Sequence, residues 1–183
     1  MISALITFDI NLRKNVHMTA QFTEVLRHRG ETLSLCTYPL GVYWKSSGNP
    51  IELQSTSTGC LRGYVGTWEI SVGRLYLVRF WGNRQGPSDF EEVGLSDVFP
   101  GYPDGVFAHW FTGELRCPKG ARLRYVHSAF ESKYEKDLLI TVRSGVVINE
   151  RLVVNCTAEE DNGLGFGRFE DYVVTDFRKK QQD

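Results

Sequence analysis

Arg62-Gly63-Tyr64-Val65-Gly66-Thr67-Trp68-Glu69-Ile70-Ser71-Val72-Gly73-Arg74-Leu75-Tyr76-Leu77-Val78-Arg79-Phe80 is the stretch that decides the fold. Tyr64, Gly66, Trp68 and Ile70 share one side of an alternation of period two, with Val65, Thr67 and Glu69 on the other. That is the repeat of a strand, not of a helix. Leu75 and Leu77 then alternate with Tyr76, Val78 and Phe80, so the second run is apolar on both faces. Gly73 stands late in the turn between the runs, where a tight hairpin needs positive φ. The unit reads as a β-hairpin rich in aromatic and β-branched residues.

The same signature extends to both sides. Leu33 and Leu35 alternate with Thr32, Ser34 and Cys36. Leu138, Ile140 and Val142 alternate with Leu139, Thr141 and Arg143, and the pattern resumes after Ser144-Gly145 through Val146, Ile148, Leu152 and Val154. Arg29-Gly30 predicts a further hairpin between residues 24–28 and 31–35. A short helix over residues 19–29, with Phe22, Val25 and Leu26 on one face and Gly30 as its C-cap, is the rival. The hairpin is preferred because the pattern after Gly30 is plainly extended.

Residues 83–104 are rich in Gly and Pro and read as a long covering segment. Within them, Ser88-Asp89-Phe90-Glu91 fits a capping box and predicts a helical turn. Residues 95–99, stopped by Pro100, predict another. Residues 107–116 read as one strand with Gly113 as a bulge or a site of close approach. Pro118-Lys119-Gly120 reads as a turn, and residues 123–126 as extended. Residues 162–167 are Gly-rich and loose, and Val173, Val174 and Thr175 favour a strand over a short helix for residues 169–177. The expected fold is mainly β: an antiparallel sandwich or partly closed barrel built of hairpins, with one or two short helical turns. Residues 18–177 make one β-rich domain. Residues 1–17 form an N-terminal extension, with Met18 as an alternative start, and residues 178–183 a frayed polar tail.

Composition narrows the function classes. Across 183 residues the net charge is −1, too little basic excess for non-specific nucleic-acid binding. A hydrophobic share of 42% excludes global disorder. No apolar run is long enough to span a bilayer, and residues 1–8 lack the basic start of a secretion signal, so a cytoplasmic protein with no membrane partner is expected. Cys36, Cys60, Cys117 and Cys156 are widely spaced, without CxxC or zinc-finger spacing, and read as free thiols. An even count leaves disulfides open.

Chemical motifs are sparse. There is no G-x-S-x-G and no phosphate-binding loop, and Gly163-Leu164-Gly165-Phe166-Gly167 lacks the dinucleotide fingerprint. His109 shares parity with Phe107 and Phe111 and is expected to point inward. No second His or carboxylate stands at metal-ligand spacing, so neither a metal nor a cofactor is implied. A Cys117 thiol paired with His109 or His127 has no local support. The acidic clusters around Asp89, Glu131 and Glu159 read as solvated surface.

The strings Arg62–Ile70, Gly73–Leu77, Thr37-Tyr38-Pro39-Leu40, Val106-Phe107-Ala108-His109-Trp110-Phe111-Thr112-Gly113-Glu114-Leu115 and Tyr134-Glu135-Lys136-Asp137-Leu138 resemble a family of small bacterial proteins to which no activity is attached. The resemblance covers residues 31–155. It implies a bacterial origin and a shared β fold, and it carries over no catalytic residue. Two functions are weighed. The first is a non-catalytic binding protein acting on another protein through a surface, such as an inhibitor or immunity-type partner; dense Trp and Tyr suit an interface. The second is a small enzyme or ligand binder with a pocket at the end of the sandwich or barrel. Its candidate residues are Arg62, Tyr64, Trp68, His109, Trp110, Glu114, Tyr125 and His127, types that suit an anionic or aromatic ligand.

Overall fold

The computed structural model describes residues 19–48 and 51–155. Its elements run β1 (Glu24–His28), β2 (Glu31–Leu35), α1 (Pro39–Ser47), β3 (Tyr64–Ser71), β4 (Arg74–Gln85), β5 (Phe90–Gly94), α2 (Leu95–Val98), β6 (Val106–Phe107), β7 (Gly113–Arg124), β8 (Lys133–Arg143) and β9 (Val146–Val154). The protein is mainly β, as the alternation predicts. The three hairpins read from Arg29-Gly30, Val72-Gly73 and Ser144-Gly145 are all present, with both turn residues at positive φ. That is the mirror-image turn whose twist matches the flanking strands. The helical rival over residues 19–29 is absent.

One sheet runs β2-β1-β3-β4-β9-β8-β7. It is mixed, not purely antiparallel: β1 and β3 are parallel because the chain passes through α1 before returning on the far side of β1. The far edge of β4 is shared by three strands. Arg74 meets Val146 of β9, Tyr76 and Leu77 meet β6, and residues 81–85 meet β5. The sheet does not close into a barrel, yet it curls until its two ends meet. The Cys36 N–H donates to Arg116 O (2.8 Å), and the Thr37 hydroxyl donates to Glu114 O (3.3 Å) while accepting from the Arg116 N–H (3.0 Å).

The concave side of this curl is the core. Leu26, Leu35, Trp68, Leu75, Leu77, Leu115, Ile140 and Val142 are buried there, and Leu40 of α1 closes one end. α1 is not foreseen by the period-two reading. Pro39 opens it with φ already suited to a first turn, Leu40, Tyr43 and Trp44 share the inward face, and Gly48 at φ 77° ends it, its N–H reaching Trp44 O.

Three expectations are corrected. The stretch Ser88–Glu91 is not a helical turn; the exposed edge of β4 draws residues 90–94 into β5, and Asp89 instead accepts the Phe90 N–H in the connecting turn. Residues 107–116 are not one strand. The chain leaves β4 after Phe107 and turns back at Ala108–Phe111 before joining β8 at Gly113. His109 therefore lies exposed instead of pointing inward. Pro118-Lys119-Gly120 is not a turn, since β7 runs through it with a register shift after Lys119. By contrast, α2 forms over the predicted residues and stops before Pro100, with Asp97 accepting the Gly94 N–H (2.8 Å). The strand expected over residues 169–177, and Cys156, lie outside the described residues.

Candidate functional site

β1 turns Glu24, Leu26 and His28 toward the interior, so its inward face carries a polar group on each side of Leu26. Each group centres a different environment: one sealed, one open.

At the sealed end Glu24 is fully buried. The Trp68 indole N–H donates to its Oε2, and Arg62 Nε lies 3.6 Å from its Oε1, too far for a hydrogen bond. Burial pushes the carboxyl up to about 7, against the hydrogen bond from Trp68, the Arg62 charge and the Gly66 backbone. Arg62 in turn donates to the Tyr38 hydroxyl (3.1 Å) and lies 4.3 Å over the Tyr38 ring. Burial holds the Tyr38 hydroxyl up at about 12 and raises Tyr64 further. Gly66 is what lets this cluster exist. A Cβ there would come within 2.9 Å of Trp68 Nε1 and 3.0 Å of Glu24 Oε2.

At the open end lies a cleft of about 430 Å³. Its apolar lining is Leu33, Leu138 and Leu152; around them stand charges of both signs, Lys119 and Lys136 beside Glu31, Glu135 and Glu150. His28 sits at the edge of this space, with Nε2 3.0 Å from Glu150 Oε1 but out of line for a hydrogen bond, and both ring nitrogens buried without a hydrogen-bond partner among the described residues. Burial raises the Glu150 carboxyl, but His28 and Arg29 outweigh it, so the net shift is downward. Lys119 Nζ reaches across to Glu31 Oε2 at 2.6 Å, which holds the Glu31 carboxyl below its usual range. Both side chains are solvent-accessible, so water screens this bridge and it opens at little cost.

The cleft exists because the seam between β2 and β7 fails to zip. In a two-residue hairpin, His28 and Glu31 exchange backbone bonds, as do Leu26 with Leu33 and Glu24 with Leu35. Thr32 and Ser34 therefore point their N–H and C=O away from β1, on the same side as the Cys36 N–H that reaches β7. Continuing that ladder would set Ser34 against Pro118, and proline has no N–H to give. The ladder stops there. Beyond it Gly120 (φ 81°) swings β7 over Glu135, whose carboxylate accepts the Ala121 N–H (3.1 Å). No strand among the described residues pairs with the outer edge of β2. A Cβ on Gly120 would collide with the Glu135 carboxylate. We expect Gly120→Ala to lower unfolding free energy by about 1–2 kcal/mol, measured by urea denaturation; an unchanged midpoint would show that the rim is not held by this turn.

No protein-family model matches the chain, and no curated protein or solved structure matches it. Among the described residues, no group of three or more His, Cys, Asp or Glu is placed to hold a metal ion, and no helix is long and apolar enough to cross a membrane. Cys36, Cys60 and Cys117 are free thiols, and burial pushes Cys36 up to about 11 and Cys117 up to about 12, which suppresses the reactive thiolate.

The residues singled out from sequence fall in four places. Arg62, Tyr64 and Trp68 do come together, around the buried Glu24. Trp110 stacks on Phe99 (centroids 5.7 Å apart) and donates to Pro39 O, with the exposed His109 edge-on against it. Glu114 pairs with Arg151 on the surface (2.9 Å). The Tyr125 hydroxyl and His127 Nδ1 lie 2.8 Å apart in an exposed loop. None of the eight lines the cleft. The cleft's own residues, His28, Leu33, Lys119, Lys136, Leu138, Glu150 and Leu152, come from five strands, and only the strand order could have gathered them.

Proposed function

We propose that this chain is a non-catalytic binding protein of the bacterial cytoplasm, that its partner is another protein, and that the contact is made by strand addition at the seam. The observation that carries this reading is the outer edge of β2, which no strand among the described residues pairs: Thr32 and Ser34 turn main-chain donors and acceptors away from β1, beside a cleft in which Leu33, Leu138 and Leu152 lie among charged side chains. Main-chain bonds to an added strand give affinity, and side-chain pockets give selectivity. The occupant is an extended segment with alternating apolar residues for Leu33, Leu138 and Leu152, and a carboxylate for Lys136, which has no partner among the described residues. Lys119 exchanges Glu31 for the newcomer. An inhibitor or immunity-type role follows from this mode if the captured strand belongs to a toxin or an enzyme.

The test places a photoreactive residue at Ser34 and maps the cross-link on both molecules. The expected result is an adduct between β2 and an extended segment of one stoichiometric protein, lost on Thr32→Pro, with the unfolding midpoint of the variant close to wild type because the Thr32 N–H faces away from β1. An unaffected interaction in Thr32→Pro, or cross-links that map to another face, would refute strand addition.

His28 favours a second reading, a small-molecule site in the same cleft, because its buried ring nitrogens lack hydrogen-bond partners. A ligand screen by thermal shift separates the two: a small molecule that raises Tm in wild type and not in His28→Phe supports it, and no such compound leaves strand addition alone.

A further inference from the structure

The far end of the β7–β8 pair carries positive charge that the described residues do not neutralise. Residues 119–136 hold five Lys and Arg against two Glu, in a chain whose net charge is −1. The strand register sharpens the imbalance. Arg124 stands directly opposite Lys133, and Lys119 directly opposite Lys136. Like charges opposed across a ladder repel and cost stability. Other cations of the same sheet are placed differently: Arg84 stands opposite Glu91 and donates to it (2.9 Å), and Arg27 stands opposite Glu69.

The nearby carboxylates do not repair this. Glu31 takes Lys119 (2.6 Å), Asp137 takes Arg116 (2.9 Å), and Glu150 faces His28 and Arg29. Glu135 accepts the Ala121 N–H (3.1 Å), and the exposed Glu131 pairs with no described cation. Arg122, Arg124, Lys133 and Lys136 are all exposed and have no carboxylate partner among the described residues. An aromatic side chain stands with them. Arg122 lies 5.0 Å from the centre of the Tyr125 ring, which is 53% exposed and whose hydroxyl is 2.8 Å from His127 Nδ1.

We propose that the tip of this β7–β8 arm is a docking surface for an acidic protein segment, which brings carboxylates to Arg122, Arg124 and Lys133 beside Tyr125. A carboxylate between two opposed cations turns their repulsion into two attractive contacts, and a guanidinium fork can hold it through two hydrogen bonds. The Tyr125 ring gives the segment an apolar surface to lie on. A nucleic acid fits less well. It is a polyanion that would approach a chain of net negative charge, and so few exposed cations release few counterions. Charge placed in this way speeds encounter and rejects basic partners. The surface lies beyond the cleft that the added strand enters, and it stands whether or not that strand is added.

Fluorescence anisotropy on the full-length chain, with a dye-labelled ten-residue peptide of alternating Glu and Thr as the probe, tests the assignment. Lys133→Glu is expected to weaken binding roughly 10-fold and also to raise the urea unfolding midpoint, because it sets a carboxylate opposite Arg124. Arg79→Glu makes the same change of net charge on β4 and should alter binding by less than about 2-fold. Raising salt from about 50 mM to about 300 mM should weaken the wild-type complex by at least about 10-fold. Absence of binding at the lower salt, equal losses in the two variants, or a lower midpoint in Lys133→Glu would overturn the proposal. A DNA single strand that binds more tightly than the peptide, and is likewise lost in Lys133→Glu, would overturn it in favour of a nucleic acid. Thr32→Pro separates this surface from strand addition. Peptide binding lost in Thr32→Pro would place the peptide at the seam and overturn the arm. Peptide binding that survives, in a variant whose Ser34 cross-link to the partner also survives, would sink strand addition and leave the arm standing.

Discussion

Replacement of Trp68 by Ala is expected to cost about 3–5 kcal/mol of stability, the range for truncating a fully buried large aromatic. Domains of this kind hold only about 5–15 kcal/mol in total, so the variant should sit near the edge of folding. Trp68 is fully buried and faces the concave core beside Leu26, its partner on β1. It is also the donor that satisfies Glu24 Oε2, so truncation leaves both a cavity and an unpaired buried carboxylate. Trp68→Phe separates these effects. It keeps most of the ring volume and removes only the indole N–H, so it should lose less than the alanine variant, with the loss larger at pH 8 than at pH 5. The check is urea denaturation of both variants at the two pH values. An alanine cost below 1 kcal/mol would mean that the parallel β1–β3 junction is not where the core is anchored.

The alternation around Trp68 is also where the sequence speaks most clearly. Tyr64, Gly66, Trp68 and Ile70 share a face because a pleat has period two, and the hairpin turn takes positive φ at both Val72 and Gly73, a conformation that Gly73 adopts without strain. These are local facts, decided within a few residues. Where a tertiary partner decides, local reading fails. Ser88–Glu91 carries a helix-start pattern, but the open edge of β4 offers residues 90–94 a ladder of backbone bonds and wins. Pro118 and Gly120 look like turn residues, yet Pro118 sits where its missing N–H faces away from β8 and costs the β7–β8 ladder nothing. Pro39, Leu40, Tyr43 and Trp44 did carry a helix signal, an N1 proline followed by i, i+3 and i+4 apolar residues, but one too short to stand out among strands.

The candidate sites divide along the same line. Arg62, Tyr64 and Trp68 could be grouped because they lie within one hairpin's reach. Glu24, their common partner, sits on a strand brought alongside only by the crossover through α1. His28, Lys136 and Glu150 gain meaning only from the order β2-β1-β3-β4-β9-β8-β7, which places the two ends of a curled sheet face to face. A single sequence has no short-range pattern that encodes this order.

Between pH 5 and pH 8 the protein is expected to lose on the order of 3 kcal/mol of stability, and Glu24→Gln to abolish most of that slope. Glu24 is raised from 4.5 to about 7 in the fold, chiefly because burial disfavours its charge. A carboxyl whose folded pKa lies above its unfolded value binds its proton more tightly when folded. Its contribution is therefore fully present below about 4.5 and disappears as pH rises through about 7. The other shifted groups titrate elsewhere. Glu31 and Glu150 are lowered, so their contributions are lost only as pH falls below the ordinary carboxylate range. Cys36, Cys117, Tyr38 and Tyr64 are raised from values already alkaline, so they act above the window. Glutamine keeps an oxygen for the Trp68 indole and has no charge to bury, so its variant should show a nearly flat profile across the window and equal or exceed wild type at pH 8. Urea midpoints at half-unit intervals decide it: parallel profiles for wild type and Glu24→Gln would mean that Arg62, at 3.6 Å, already keeps Glu24 ionised throughout.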